Sequence, residues 1–214
     1  GWIRLRGIRG SGCLLLCGAA GSAGEAETCL DQAAATLRRH GAVALGRRPG
    51  RRWLEDRFRH PYLRDSLLDR GSATDTRETA APWSSLPGLA RRVRTALESA
   101  WREEDETTSV LCHLSHPYHD GASLYFTFFF RCPTDVDEAL ARWARLKRGA
   151  TEALLEAGGT LTHHHGVGLW HAPWLEREVG RAGHELLAAA ARAVDPDGIL
   201  NPQVLLDPQD RLET

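Results

Sequence analysis

Residues 108–131, TSVLCHLSHPYHDGASLYFTFFFR, read as two extended runs around a turn. Thr108 to Ser115 and Ala122 to Arg131 are rich in β-branched and aromatic residues. The intervening His116-Pro117-Tyr118-His119-Asp120-Gly121 carries the Pro and Asp-Gly signals of an antiparallel hairpin with a long loop. In the second run Tyr125 and Thr127 alternate against Phe126 and Phe128, so one face belongs to a core and the other is free to carry polar chemistry.

Helical patterns flank this hairpin. On its N-terminal side, Ala73 to Thr79 reads as a further strand leading to Ala81-Pro82-Trp83, and Ser84 caps a helix from about Leu86 to Trp101 with Leu89, Val93, Leu97 and Ala100 inward. The acidic stretch Glu103 to Glu106 reads as a solvated connection. On its C-terminal side, Thr134 as cap and Asp137 in the reciprocal position start a helix that runs to about Ala157 with Leu140, Trp143, Ala150 and Leu154 inward. A last helix from about Trp174 to Ala193 ends at Asp195-Pro196-Asp197-Gly198. Strands mixed with long helices around an antiparallel hairpin predict an α+β fold, a mainly antiparallel sheet covered by helices.

The N-terminal third reads differently. Gly12 to Gly18 and Ala42 to Leu45 predict short strands on either side of a helix from about Glu25 to Arg39, with Ala26, Leu30, Ala33, Ala34 and Leu37 on one face. Trp53 to Leu68 reads as helical, broken at His60-Pro61. Just beyond the break, Arg64 in Tyr62-Leu63-Arg64-Asp65 offers a guanidinium that can fork onto a carboxylate or phosphate. Residues 1–11 are assigned to a linker or remnant, 12–206 to one domain and 207–214 to a tail.

Composition narrows the class. A net charge of -1 over 214 residues indicates no nucleic-acid footprint. No apolar stretch reaches membrane-spanning length. Five cysteines, an odd number at irregular spacing, do not form a secreted disulfide framework, so a reduced, cytoplasmic state is expected. Cys13 and Cys17 fall on one face of their predicted strand and read as small buried hydrophobes.

The chemistry concentrates at Thr160-Leu161-Thr162-His163-His164-His165-Gly166-Val167-Gly168, entered from Gly158-Gly159. Imidazoles titrate near neutrality and suit proton transfer, anion binding or ligation. The glycines permit a backbone geometry or a close approach that a Cβ forbids. In an extended loop at most two of the three histidines face one ligand. His113, His116 and His119 repeat at a ligand-like spacing of three, but Pro117 and the loop argue against a preformed metal site, and these residues are read as lining a pocket mouth. Cys132, the nearest cysteine, stands alone, and no metal is assigned.

Four segments together resemble a known family: His113-Leu-Ser-His116, Gly121-Ala-Ser-Leu-Tyr125-Phe126, Gly158 through Gly168 with its histidine triplet, and Val194-Asp-Pro-Asp-Gly-Ile-Leu-Asn201-Pro202. They resemble the C-terminal cap domain of FAD-linked oxidases of the vanillyl-alcohol-oxidase type. The triplet, Tyr62-Leu-Arg-Asp65 and Thr79-Ala-Ala-Pro82-Trp83 look most like the alkyldihydroxyacetonephosphate synthases and their bacterial relatives. The resemblance covers about Cys13 to Leu206. It implies a cap that closes over the flavin ring of FAD and exchanges acyl for alkyl on dihydroxyacetone phosphate through flavin N5. On that likeness Tyr125 is the proton-transfer residue, with His164 and His165 catalytic and beside the flavin. Arg64, His163 and His116 contact an anionic substrate, phosphate or carboxylate, while Gly166 and Asn201 join the cofactor contacts.

The FAD-binding domain is expected from the rest of a longer parent protein, since these residues hold no Gly-rich dinucleotide fingerprint. The chain by itself is therefore expected to be inactive. A homodimer is compatible with the resemblance, as is a peripheral membrane location if the substrate is a lipid. Two rival readings are an FAD-dependent dehydrogenase or oxidase of 2-hydroxy acids such as D-lactate or glycolate, and a non-catalytic module whose histidines hold a metal or mediate assembly.

Overall fold

The computed structural model describes residues 13–59, 62–100 and 108–206. The linker 1–11, the tail 207–214, the break at His60-Pro61 and the acidic stretch 103–106 lie outside the described residues. The chain divides into two compact units, Gly1–Leu63 and Arg64–Thr214.

In the first unit, helix α1 (Ala23–Arg39) begins where the Glu25 carboxylate accepts from the Ser22 backbone N–H at 3.1 Å and from its hydroxyl at 2.6 Å. This reciprocal cap satisfies donors that a helix start leaves open. The face formed by Ala26, Leu30, Ala33, Ala34 and Leu37 is half-buried, and nothing on α1 is fully buried. Helix α2 (Arg48–Asp56) takes Pro49 in its first turn, where proline's missing N–H is no loss.

The two strands expected around α1 do not form. Residues 13–18 and 42–45 are irregular, with Leu14 63% and Leu15 60% exposed and both Cys13 and Cys17 exposed. An apolar run becomes a strand only when a neighbouring strand takes its backbone hydrogen bonds; among the described residues none pairs with these runs, and the Ala42 N–H goes back to the Leu37 carbonyl of α1.

The second unit carries the sheet. After the short helix α3 (Leu63–Leu68), β1 (Ser72–Pro82), β2 (Ser109–Pro117) and β3 (Gly121–Arg131) form an antiparallel sheet in the order β1-β3-β2. Helices α4 (Leu86–Ser99) and α5 (Val136–Glu156) cover one face of it. Leu89, Val93 and Leu97 of α4 and Leu146, Ala150 and Leu154 of α5 meet Phe126, Phe128 and Phe130 of β3 in the core. The predicted alternation holds, since Tyr125, Thr127 and Phe129 on the other face are only half-buried. The cap of α5 is Asp135, not Thr134: its carboxylate accepts from Glu138 N–H at 2.8 Å, one residue later than the predicted pairing.

Beyond the histidine loop, α6 (Gly168–His171) passes through a 3-10 turn (Ala172–Trp174) into α7 (Leu175–Val194), which is kinked at Gly180 (φ 75°). No helix among the described residues is long and apolar enough to cross a membrane.

Candidate functional site

The site lies on the open face of the sheet. In an antiparallel pair, directly opposed residues project to the same side. The register sets Glu78 of β1 opposite Tyr125 of β3, and Tyr125 opposite His113 of β2. Ser123, one step of two along β3, shares this face, and its hydroxyl donates to Glu78 Oε1 at 3.1 Å or to the Ser115 carbonyl at the same distance.

Two departures from regular backbone bring histidines to Glu78. His116 is the extra residue of a β-bulge between Ser115 and Pro117, at φ 44°. Strict alternation would send its side chain to the core face; a bulge re-aims it. His116 Nδ1 consequently sits 3.7 Å from Glu78 Oε1. The second departure is His164, at φ 42°, with the His165 N–H donating to the His163 carbonyl at 2.6 Å. The loop there is a tight turn, not an extended run, so the limit of two histidines facing one ligand does not apply. His163 Nδ1 lies 3.1 Å from Glu78 Oε1, His165 Nε2 3.1 Å from Oε2, and His164 Nε2 3.8 Å from Oε2.

The loop is held by its first residues. The Thr160 N–H donates to the Ala80 carbonyl at 3.0 Å, the Ala80 N–H to Thr160 Oγ1 at 2.8 Å, and Thr79 Oγ1 to the Thr160 carbonyl at 2.7 Å. Gly159 makes this contact with β1 possible, because a Cβ there would stand 2.5 Å from Leu89 Cδ1 and 2.6 Å from Thr79 Oγ1. Leu161 is fully buried and anchors the next step.

Glu78 is the residue the sequence reading missed. Its side chain is 1% exposed, against 15% for His163 and 45–50% for His116, His164 and His165. His165 Nε2 is close to Oε2 but not aligned as a hydrogen bond, which leaves Oε2 buried without a hydrogen-bond partner. A cleft of about 250 Å³ opens beside it, lined by Glu78, His113, Ser115, His116, Tyr125 and His164. Tyr125 presents its ring edge-on to His165, with centroids 5.9 Å apart. Tyr118, also unanticipated, places its hydroxyl 2.9 Å from His163 Nε2.

The remaining predicted residues are spread more widely. Gly166 lines a second cavity of about 310 Å³ together with Asp75, Arg77, Lys147 and His171, and Glu78 and His165 of the histidine cluster reach this cavity as well. Arg64 stands exposed on α3, its guanidinium on Asp65 Oδ1 at 3.4 Å. Asn201 sits in a turn after α7 at φ 44° and lines neither cavity. Among the described residues, therefore, Tyr125, His116, His163, His164 and His165 come together, and Arg64 and Asn201 do not join them.

The second cavity has its own electrostatics. Arg77 is buried and its guanidinium Nη1 contacts His171 Nε2. Burial pushes the Arg77 guanidinium down to about 10, with Asp75 and then Glu178 opposing. Burial, then the charges of Arg77 and Lys147, push the His171 imidazole down to about 4. Asp75 holds Lys147 Nζ at 3.0 Å and accepts from Trp143 Nε1 at 2.5 Å, while Trp143 packs edge-on against Trp170 at 4.2 Å. His171 is thus neutral at pH 7 and acts as an acceptor toward the arginine.

Comparison with known proteins agrees with this architecture. The family model described as FAD linked oxidases, C-terminal domain, matches residues 4–205. Alkyldihydroxyacetonephosphate synthase of Trypanosoma brucei brucei is 35% identical over 175 residues, 81% of this chain and 28% of that protein. Glycolate oxidase subunit GlcD of Bacillus subtilis (strain 168) is 37% identical over 73 residues, 33% of this chain and 16% of that protein. A solved alkyldihydroxyacetonephosphate synthase shares the fold at TM-score 0.51 and 24% identity, over 72% of this chain and 24% of that one. The chain spans little more than a quarter of the synthase's length. With the helix-covered antiparallel sheet in place and a family match running over nearly the whole sequence, the chain belongs to the FAD linked oxidases as their C-terminal domain, and FAD is the cofactor of that family.

Proposed function

We propose that this chain forms the substrate-side wall of an FAD-dependent enzyme similar to alkyldihydroxyacetonephosphate synthase, exchanging acyl for alkyl on a phosphate-bearing ketone. The observation that carries the reading is the convergence of Tyr125, His164 and His165 on the open sheet face, half-exposed above a buried carboxylate. An open cleft of about 250 Å³ suits one face of a planar ring and part of a small substrate, not a whole dinucleotide. The rest of the FAD site then belongs to the parent protein.

When bound, FAD supplies a ring that accepts and returns an electron pair. The chain's own residues supply proton transfer and charge. Tyr125 O–H is the proton donor and acceptor on the cleft wall. His165 lies between Tyr125 and Glu78, its ring edge-on to the tyrosine and its Nε2 3.1 Å from Glu78 Oε2, so the carboxylate orients it toward the tyrosine. His163, fixed by Tyr118 and Glu78, positions His164. Arg64 remains available for the substrate anion in the assembled protein, because an exposed pair such as Arg64–Asp65 contributes little and yields readily.

A second reading, oxidation of a 2-hydroxy acid, is supported by the likeness to the Bacillus subtilis glycolate oxidase subunit. The deciding experiment uses the full-length parent protein with its flavin. Fatty-acid release from acyl-dihydroxyacetone phosphate without lasting flavin reduction, abolished by Tyr125→Phe, is the expected result. Bleaching of the flavin by glycolate or D-lactate would select the second reading, and a parent protein without flavin would sink both.

A further inference from the structure

We propose that Arg77 anchors a second anion site, which takes a carboxylate or phosphate group of a small molecule into the cavity beside α6. Arg77 is 3% exposed and lines that cavity of about 310 Å³. Its Nη1 meets His171 Nε2, whereas Nε and Nη2 are buried with no hydrogen-bond partner. The rigid guanidinium sets Nε–H and the neighbouring Nη2–H side by side and nearly parallel, the pair that grips two oxygens of one carboxylate or phosphate. The unpartnered pair is therefore the one with the geometry of an oxyanion fork.

Among the described residues no acid fills this role. The carboxylates that favour the charge of Arg77 are Asp75 and Glu178. Asp75 is already engaged by Lys147 Nζ at 3.0 Å, Trp143 Nε1 at 2.5 Å and the Thr76 N–H at 2.6 Å, and Glu178 is exposed on α7. Glu78, the other acid on the cavity wall, accepts from Ser123 and faces His163. His171 is neutral at pH 7, so the guanidinium is met by a dipole and not by an anion. Each buried N–H left open costs its full desolvation, and an oxyanion across the fork removes that cost for two donors together.

The loop wall adds backbone donors. Gly166 (φ 78°), Val167 (φ -73°) and Gly168 (φ 66°) alternate in hand, and all three line the cavity. Such alternation turns successive N–H groups to one side and makes a concavity suited to anions. Lys147, with Nζ shared between Asp75 and the Thr76 carbonyl, contributes further positive charge. Gly166, Leu169 and Trp170 are exposed, which sets the mouth of the cavity at this loop. The buried fork is reached when α6, which carries His171, shifts, and Gly166 and Gly168 at its start have the backbone freedom this requires.

This site shares the Gly166 loop with the flavin reading but does not rest on it. The test titrates inorganic phosphate, and separately acetate, into the full-length protein as purified, followed by calorimetry. Arg64→Ala serves as the background, so that the anion contact proposed for Arg64 makes no contribution. The expected result is uptake of one phosphate or acetate per chain in Arg64→Ala, weakened at least ~10-fold when Arg77→Lys is added. Lysine keeps the charge and loses the fork. The anion that binds more tightly names the ligand class. No uptake in Arg64→Ala, or uptake that Arg77→Lys leaves unchanged, overturns the site. Where circular dichroism shows that the double variant has not folded, the Arg77 Nε–H signal in NMR spectra of Arg64→Ala decides: movement with added anion supports the site, and a fixed signal overturns it. Flavin content and acyl exchange, measured on the parent protein, report on the proposed enzyme function separately.

Discussion

Glu78 Oε1 and His163 Nδ1 stand 3.1 Å apart across 85 residues of sequence, joining β1 to the loop after α5. Ser123 donates to the same oxygen from β3. One buried carboxylate thus ties together a strand, a second strand and a loop, and its removal is the most direct perturbation of the site. Glu78→Ala leaves the Ser123 hydroxyl and His163 Nδ1 without this acceptor, and the expected destabilisation is about 1–3 kcal/mol in urea unfolding. Glu78→Gln keeps an acceptor oxygen and recovers part of that loss. Equal midpoints for Glu78→Ala and the parent would show that the carboxylate holds nothing in place.

Gly159 controls how close the histidine loop comes to β1. A Cβ at this position meets Leu89, Thr79 and the Leu154 carbonyl, the last at 3.1 Å. Gly159→Ala is expected to lower stability by about 1–3 kcal/mol through overpacking. Since Thr160 would be displaced from Ala80, the amide signals of residues 160–166 should shift in NMR spectra while those of α1 do not. A neutral substitution would mean the loop docks less tightly than these contacts imply.

Phe128 and Phe129 are adjacent on β3 but face opposite sides of the sheet. Phe128 is fully buried between the sheet and its helices, so Phe128→Ala is expected to cost about 3–5 kcal/mol. Phe129→Ala removes a half-buried ring and is expected to cost clearly less. Chemical denaturation of the two variants side by side measures the difference, and a reversed order would contradict the assigned faces.

His171 makes stability depend on pH. Its imidazole is held down to about 4 by burial and by Arg77 and Lys147, while an unfolded chain titrates near 6.5. Between those values the unfolded state binds a proton that the folded state does not, so stability is full above about 6.5 and falls as pH drops toward 4. His171→Gln is expected to flatten this part of the melting-temperature profile. Arg77→Met should bring the His171 titration part of the way back up, since burial is the larger cause. Identical profiles for His171→Gln and the parent would exclude this contribution.

How far such features are legible beforehand varies by element. The hairpin was readable because alternation along Leu124 to Phe130 is a local property of a strand half-buried by helices, and the same holds for the apolar stripe of α4 and for Ala150 and Leu154 of α5, whereas Leu140, expected inward, is 56% exposed near the start of its helix. The N-terminal runs around Leu14-Leu15-Leu16 and Ala42 to Leu45 misled for the converse reason: composition proposes a strand, but only a partner strand makes one. In the site, the histidine triplet and Tyr125 stand out by residue type. Glu78 does not, being one carboxylate among many until the register places it opposite Tyr125.

The sequence by itself determined the α+β class, the sheet face that carries polar groups, the family and most of the residues of the candidate site, because periodicity, turn chemistry and residue type are written locally. The tertiary structure alone decided that those residues converge. A bulge turned His116 through the sheet, a left-handed turn at His164 let three neighbouring imidazoles face one way, and pairing between strands far apart in the chain put Glu78 beneath them. The bulge and the pairing depend on hydrogen bonds between strands, and the turn, closed locally by His165 and His163, reaches Glu78 only because Thr160 is bonded to Ala80 of β1, a contact that neighbours in sequence do not specify.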